Sequence, residues 1–468
     1  MSAKTPSRKV EVVVLGAGPG GSDAAARLAQ LGKEVLLLDR EGPGAGVGGV
    51  CLHSGCIPSK ALIDTAHHLH KIKELSARGV TLSGEIKVDF KKLQEWKRGV
   101  SAKLRSYIEQ GLKAAGVKVE KGEGRLMGPH QIEIRNGENP GIIEFEKAIL
   151  ATGSRAIELP HLPFDGKKIL NARHALDLEE IPASLLVVGG GYIGLELGIA
   201  FRKFGSQVAV AEMQGRLLPG TDAALVRPLS RRLEELGIKV HLNAKVESVQ
   251  GSTAKVVQEG GKAVETQASH VLVAVGRRPN TEDLGLSAAK VQVDAKGFIS
   301  TNAKKQTNVP HIYAIGDITQ GPALAHKASA EGAVAAEAIC GLPAAFDPLS
   351  IPAVVFADPE LSYTGLSEAQ AKEKGFEPKS VTLPNRGLGR ALAAGETEGM
   401  AKLVYDEKSG RLLGALLAGG PATDMIAGLG LAIEMGATME DLALTIFPHP
   451  TFSEQAALAA RRVAHQKK

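Results

Sequence analysis

Two stretches of the chain carry the same glycine spacing, and that repetition constrains the fold more than any other feature. Val10–Leu15, apolar apart from Glu11, leads into Gly16-Ala17-Gly18-Pro19-Gly20-Gly21. The helical stretch Ser22–Leu31 follows, then Glu34–Leu38, which reads as a second strand, ending at Asp39. Ser184–Val188 leads in the same way into Gly189-Gly190-Gly191-Tyr192-Ile193-Gly194, another helical stretch, and the run Gln207–Ala211 ending at Glu212. In both copies the first glycine and the acidic residue are 23 positions apart. Continuous apolar runs of this kind read as strands buried on both faces, so each copy predicts a parallel βαβ unit.

Each residue type has a physical task. The first glycine permits the tight turn, the second lets backbone N–H groups approach a pyrophosphate, and the third lets helix and strand pack closely. The helix N-terminus favours the anion, and the carboxylate accepts hydrogen bonds from an adenosine ribose. One such fingerprint is weak evidence, but two in matching strand–turn–helix context are not. The chain is therefore predicted to hold two dinucleotide sites. Gly16, Gly18, Gly21 and Asp39 form the first, and Gly189, Gly191, Gly194 and Glu212 the second. A carboxylate at the strand end repels a 2′-phosphate, so Glu212 favours NAD over NADP, with Arg216 the nearest following cation.

A length of 468 residues suggests roughly three domains. Hydrophobic residues at 44% and charged residues at 23% exclude a largely disordered chain. No apolar run is long enough to span a bilayer. A net charge of +5 spread over this length makes no case for nucleic acid or an anionic membrane. The last 120 or so residues lack the fingerprint. Strands are predicted at Pro352–Ala357, Lys402–Tyr405 and Leu412–Leu417, and helices at Thr423–Met435 and Phe452–Arg462. They make a third, α+β domain.

Three cysteines exclude a secreted disulfide framework. The opening MSAKTPSRKV lacks the apolar stretch of a secretory signal, so a cytoplasmic protein is expected. Cys51 and Cys56 lie in Gly48-Gly49-Val50-Cys51-Leu52-His53-Ser54-Gly55-Cys56-Ile57-Pro58-Ser59-Lys60. Four residues separate them, which is not the CxxC of a thioredoxin-like or zinc site, and no metal is expected. Cys340, alone in an apolar stretch, is expected to be a core thiol. A disulfide closing so short a loop gains little from loop entropy, whereas a labile local bridge suits redox exchange. Taken alone, a redox pair and two unrelated buried thiols are about even readings; the position just beyond Asp39 favours the redox pair.

At these residues the chain resembles the flavoprotein pyridine nucleotide–disulfide oxidoreductases. GGVCLHSGCIPSK is similar to the family's redox-active segment, and Ile57-Pro58-Ser59-Lys60 most resembles the branch that oxidises dihydrolipoamide. Five further segments match in order: Ala151-Thr152-Gly153, Ala274-Val275-Gly276-Arg277-Arg278-Pro279-Asn280, Ala314-Ile315-Gly316-Asp317, Leu324-Ala325-His326-Lys327 and His449-Pro450-Thr451-Phe452-Ser453-Glu454. The similarity covers essentially the whole chain.

The resemblance implies an α/β fold of two Rossmann-like dinucleotide-binding domains and a C-terminal α+β dimerisation domain. The FAD domain would be split into 1–155 and 278–347, with the NAD domain at 156–277 between them and the dimerisation domain at 348–468. FAD would lie on Gly16, Gly18, Gly21, Asp39, Lys60, Gly122, Thr152, Gly153, Asp317 and Ala325. NAD would lie on Gly189, Gly191, Gly194, Glu196, Glu212, Val246 and Gly276. Lys60 would sit near the flavin and pair with Glu196. Cys51 and Cys56 would form the redox disulfide, with His449 the base and Glu454 its orienting partner, acting on the other subunit of a homodimer. The partners implied are lipoyl-bearing domains of a 2-oxo acid dehydrogenase acyltransferase or a glycine cleavage carrier protein.

Three positions depart from the family's usual pattern: His53-Ser54 replaces Asn-Val, Ser22 replaces a Tyr, and Leu388 replaces an Asn. Rival readings are a glutathione-reductase-like NAD(P)H-dependent reductase of another disulfide, or a non-catalytic docking flavoprotein subunit. The first should show cations near Glu212. The second has no need of both cysteines, His449 and Glu454.

Overall fold

The computed structural model describes residues 8–81 and 83–464; the end of the closing segment RRVAHQKK lies outside them. β1 (Arg8–Leu15), α1 (Pro19–Gln30) and β2 (Val35–Asp39) form the first βαβ unit, with β1 and β2 parallel. α1 begins three residues earlier than the sequence pattern suggests. Pro19 occupies its first turn, where a missing N–H costs nothing and φ is already helical. α2 (Gly49–Ser54) and α3 (Cys56–Glu74) follow, broken only by Gly55, and then the 25-residue α4 (Phe90–Ala114). β3 (Lys118–Lys121), β4 (Glu123–Gly128), β5 (Gln131–Arg135) and β6 (Gly141–Leu150) complete a sheet ordered β3-β2-β1-β6-β5-β4. The strand Ile312–Ala314, from far along the chain, pairs in parallel with β6. The first nucleotide unit is thus finished by residues that follow the second one.

The second unit is a five-stranded parallel sheet. Ser184–Val188 lies at its centre, flanked by Gln207–Ala211 and His270–Val273, with Lys239–His241 and Ile169–Leu170 outside. All five residues of Ser184–Val188 are buried, as the apolar run Leu185–Val188 requires. A two-stranded ribbon, Ser154–Ala156 against Arg277–Pro279, carries the chain out of the first unit and back.

The C-terminal domain is a five-stranded antiparallel sheet covered by the helices Ala422–Glu434 and Glu454–Ala464. Leu412–Ala418, buried at every position, lies mid-sheet. Strands Leu361–Gly365 and Pro378–Pro384 add to those predicted. The first expected strand shrinks to Ala353–Val355, and the last helix starts at Glu454 rather than Phe452. Among the described residues no helix is long and apolar enough to cross a membrane.

Candidate active site

The two glycine turns are built alike. Gly16 has φ +103°, and a Cβ there would stand 2.4 Å from the Ala151 carbonyl oxygen. Gly189 has φ +107° and the same relation to the Ala274 carbonyl, at 2.6 Å. The third glycines, Gly21 and Gly194, pack on the carbonyls of Gly16 and Gly189. The middle glycines differ from both. Gly18 and Gly191 cap their helices with ordinary φ values of −65° and −79°, and a Cβ on either would meet no atom within 4 Å. Nothing in the protein demands glycine there. A side chain would instead fill the space before the helix N-terminus that a pyrophosphate needs, so both turns fit a dinucleotide.

The acidic residues tie each turn together. Asp39 Oδ2 accepts from the Ala17 N–H at 2.9 Å, and Glu212 Oε2 from the Gly190 N–H at 2.6 Å. Asp39 Oδ1 and Glu212 Oε1 accept from the N–H groups of Glu41 and Gln214. Each oxygen keeps lone-pair capacity for a ribose hydroxyl. Gly122 and Val246 have packing roles. The Gly122 N–H donates to the Asp39 carbonyl, and a Cβ on Gly122 would strike Ile134. The Val246 side chain is buried in the core of the second unit, and its carbonyl accepts from His161.

At the domain crossing, Thr152 Oγ1 donates to the Asn280 carbonyl at 2.8 Å and Asn280 Nδ2 returns a bond to the Thr152 carbonyl at 2.9 Å. Gly153 and Gly276 take φ of +67° and +133° there. Asp317 accepts from Ser154 Oγ, and Ala325 opens the helix Ala325–Ile339. Sequence reasoning missed Glu331. It is wholly buried between Lys305 and Lys327, at 2.7 and 2.8 Å, and accepts from the Gly316 N–H at 2.7 Å. It thereby fixes the turn that carries Asp317. Its only sequence trace is its spacing of four from Lys327 on one helix.

Cys51 lies in α2, and Cys56 is the first residue of the 19-residue α3, where the helix dipole favours a thiolate. Both are free thiols, Cys51 half-buried and Cys56 exposed. A hydrogen bond from Cys51, helped by Lys60, lowers the Cys56 thiol to about 7 against the opposing effect of burial. Cys51, the donor, is pushed up by the same bond and by burial. The same bond therefore favours the thiolate form at Cys56 over Cys51.

Lys60, four residues on, donates to Glu196 Oε2 at 2.8 Å. Glu196 belongs to the second unit's helix Tyr192–Phe204 and is 4% exposed. Its other oxygen accepts from the Phe356 N–H, and the Lys60 ammonium sits 4.5 Å from the centre of the Phe356 ring. His53 is half-buried, and its Nε2 is 2.8 Å from the Val47 carbonyl just before α2. Cys340 caps the helix Ala325–Ile339 at the margin of the first unit's core, and burial pushes its thiol up.

His449 Nδ1 donates to Glu454 Oε1 at 2.9 Å, and Glu454 Oε2 accepts from the Thr451 N–H at 2.9 Å. Those two bonds, the amide's the larger, hold the Glu454 carboxyl below its ordinary range. The His449 side chain is 77% exposed. Among the described residues no bond joins it to Cys51 or Cys56 of the same protomer.

Comparison with known proteins fits this arrangement. The chain is 44% identical over 455 residues to a dihydrolipoyl dehydrogenase of Geobacillus stearothermophilus, covering 97% of this chain and 96% of that protein. It is 42% identical to a dihydrolipoyl dehydrogenase of Halobacterium salinarum, with the same shares covered. Among solved structures, LpdA from Mycobacterium tuberculosis superposes with a TM-score of 0.88 at 27% identity, over 97% of this chain and 99% of that one. The HOCl-induced flavoprotein disulfide reductase RclA from Escherichia coli superposes with a TM-score of 0.84 at 28% identity, over 97% and 100%. The family model described as pyridine nucleotide-disulphide oxidoreductase matches residues 10–332, and that family's dimerisation domain matches residues 351–460. With its two dinucleotide units fitted to FAD and NAD, the chain belongs to the pyridine nucleotide–disulphide oxidoreductase family.

Proposed function

We propose that this chain oxidises protein-bound dihydrolipoyl groups to lipoyl with NAD+, as a FAD-containing homodimer in the cytoplasm serving 2-oxo acid dehydrogenase or glycine cleavage complexes. On this reading the FAD domain comprises 1–155 and 278–347, the NAD domain 156–277 and the dimerisation domain 348–468. The observation that carries it is the Cys51–Cys56 pair on adjoining helices, beside the Lys60–Glu196 link between the two nucleotide units.

Turnover starts with Cys51 and Cys56 joined as a disulfide. An ordinary thiol, with pKa about 8.5, is mostly protonated at neutral pH, so attack needs a base. His449 of the partner subunit takes the proton of one dihydrolipoyl thiol at Nε2, while Glu454 holds Nδ1 and stabilises the imidazolium. The thiolate attacks Cys51 Sγ, the Cys51–Cys56 bond breaks, and Cys56 leaves as a thiolate. Its low pKa makes it the better leaving group. The second lipoyl sulfur, deprotonated by the same imidazole once its first proton has gone, attacks the sulfur bound to Cys51. The lipoyl ring closes and Cys51 is released. Two electrons now reside on the cysteine pair. When bound, FAD supplies the electron relay from Cys56 to NAD+. The pair returns to a disulfide, one hydride equivalent leaves as NADH, and one proton is released.

The test is anaerobic turnover of dihydrolipoamide by the purified flavin-loaded protein. One NADH per lipoamide is expected, with NADP+ a much poorer acceptor. A flavin-loaded protein that yields no reduced nicotinamide sinks the proposal.

A further inference from the structure

We propose that the outward face of α4 docks the acidic protein domain that presents the dihydrolipoyl group; this rests on the function proposed above. α4 packs against α2 and α3, the helices that bear the cysteines. Its Glu109 ties it to the loop before α2, accepting from the Gly44 N–H at 2.6 Å. The positions it buries, Phe90, Gln94, Lys97 and Leu112, lie on one face. On the opposite face Lys92, Trp96, Lys103 and Tyr107 follow at spacings of four, seven and four, which aligns them in one stripe.

That stripe has the composition of a recognition surface. Trp96, the single tryptophan of the chain, is 51% exposed, and Tyr107 is 60% exposed. Large aromatic side chains left in water beside cations are the residues that anchor protein interfaces. Apart from the buried Lys97, α4 carries six Lys and Arg against two Glu. Such a concentration of one sign selects and steers a partner of the opposite sign.

The position selects the occupant. A second copy of the chain is served elsewhere, because the family's dimerisation domain spans 351–460 and has its own exposed apolar residues in Leu431, Met435, Leu444 and Ile446. A lipid surface would call for a broad apolar face, whereas here the aromatics alternate with lysines. A carrier held on α4 keeps its lipoyl arm beside α2, which raises the local concentration of dithiol at Cys51.

The experiment compares two substrates, free dihydrolipoamide and a reduced lipoylated domain of a 2-oxo acid dehydrogenase acyltransferase, on the intact holoenzyme. In Lys103→Glu/Tyr107→Ala, KM for the carrier should rise about tenfold, equivalent to about 1.4 kcal/mol, with kcat and both constants for dihydrolipoamide unchanged. Added salt should raise KM for the carrier alone in the wild type. The single variant Lys92→Glu should act in the same direction. An unchanged carrier KM overturns the proposal, as does an equal loss with both substrates or a loss of the dimer. So does binding to phosphatidylglycerol vesicles that the double variant abolishes without moving the carrier KM. If wild-type protein fails to oxidise even dihydrolipoamide, the underlying reading has failed instead.

Discussion

The Lys60 ammonium and the Glu196 carboxylate, 2.8 Å apart, join the helix that begins at Cys56 to the helix of the second glycine turn. An exposed ion pair contributes little, but Glu196 is buried and bonded at both oxygens, so this pair is a fixed part of the site. Its charge reaches the sulfur: Lys60 is among the causes that lower the Cys56 thiol.

Replacing Lys60 by Met should therefore raise the Cys56 pKa from about 7 towards the ordinary thiol value. The reactivity of the reduced protein towards iodoacetamide, followed against pH, measures this. The midpoint should move up by at least half a unit, and dihydrolipoamide turnover at pH 7 should fall. An unmoved midpoint would remove Lys60 from the electrostatics of the pair.

The exposure of His449 and its lack of any bond to the cysteines of its own protomer predict catalysis across the subunit interface. Homodimers of His449→Ala and of Cys51→Ala should each be inactive. After mixing and re-association, the hybrid joins the intact Cys51 of one subunit to the intact His449 of the other, so activity should return at one site per dimer. Hybrids that stay inactive would place the base within the protomer.

Glu454 is a positioning residue, because it acts through His449. Glu454→Gln should lower kcat with dihydrolipoamide about tenfold to a hundredfold, part of the roughly 10²–10⁴ that a general base supplies. KM should change little, and Glu454→Asp should restore part of the loss. A variant that loses KM and kcat together, with no rescue by Asp, would indicate that the carboxylate merely caps its helix.

What the sequence discloses depends on whether a residue's task is local. Gly18 and Gly191 are legible because a turn facing a pyrophosphate leaves a spacing pattern, and Cys51, Cys56, His449 and Glu454 because their chemistry sits in short segments. Glu331 was not legible: its partners Lys305 and Gly316 come from outside its helix, and the spacing of four from Lys327 is one that exposed helical pairs share. Val246 and Gly122 have packing roles that any buried valine or close-packed glycine can have, so their expected places at the adenine ends rest on the family resemblance rather than on a local pattern. The strand Pro378–Pro384 escapes prediction because proline reads as a breaker, yet this strand lies at a sheet edge, pairing only with Met400–Asp406, where a missing N–H is tolerated.

Where the three domains meet, Asp358 gives a prediction about acid stability. Lys203 Nζ lies 2.8 Å and Arg232 Nε 3.0 Å from its Oδ2, and Arg232 also reaches Glu74 on α3 at 2.9 Å. Together they line a cavity of about 570 Å³. Burial alone would raise the Asp358 carboxyl, but the two cations outweigh it and hold the pKa at about 2. The unfolded value is about 3.9, so the folded pKa is the lower one. The stabilisation is then fully present above pH 4 and is lost as pH falls from about 4 to about 2. Asp358→Asn removes the charge at every pH and leaves Lys203, 3% exposed, beside a neutral amide. Breaking a buried pair in this way costs roughly 3–5 kcal/mol. The variant should unfold at a lower urea concentration than the wild type at pH 7, and the difference should shrink as both are titrated towards pH 2. A gap that persists unchanged at pH 2 would show that the loss comes from packing rather than from the charge.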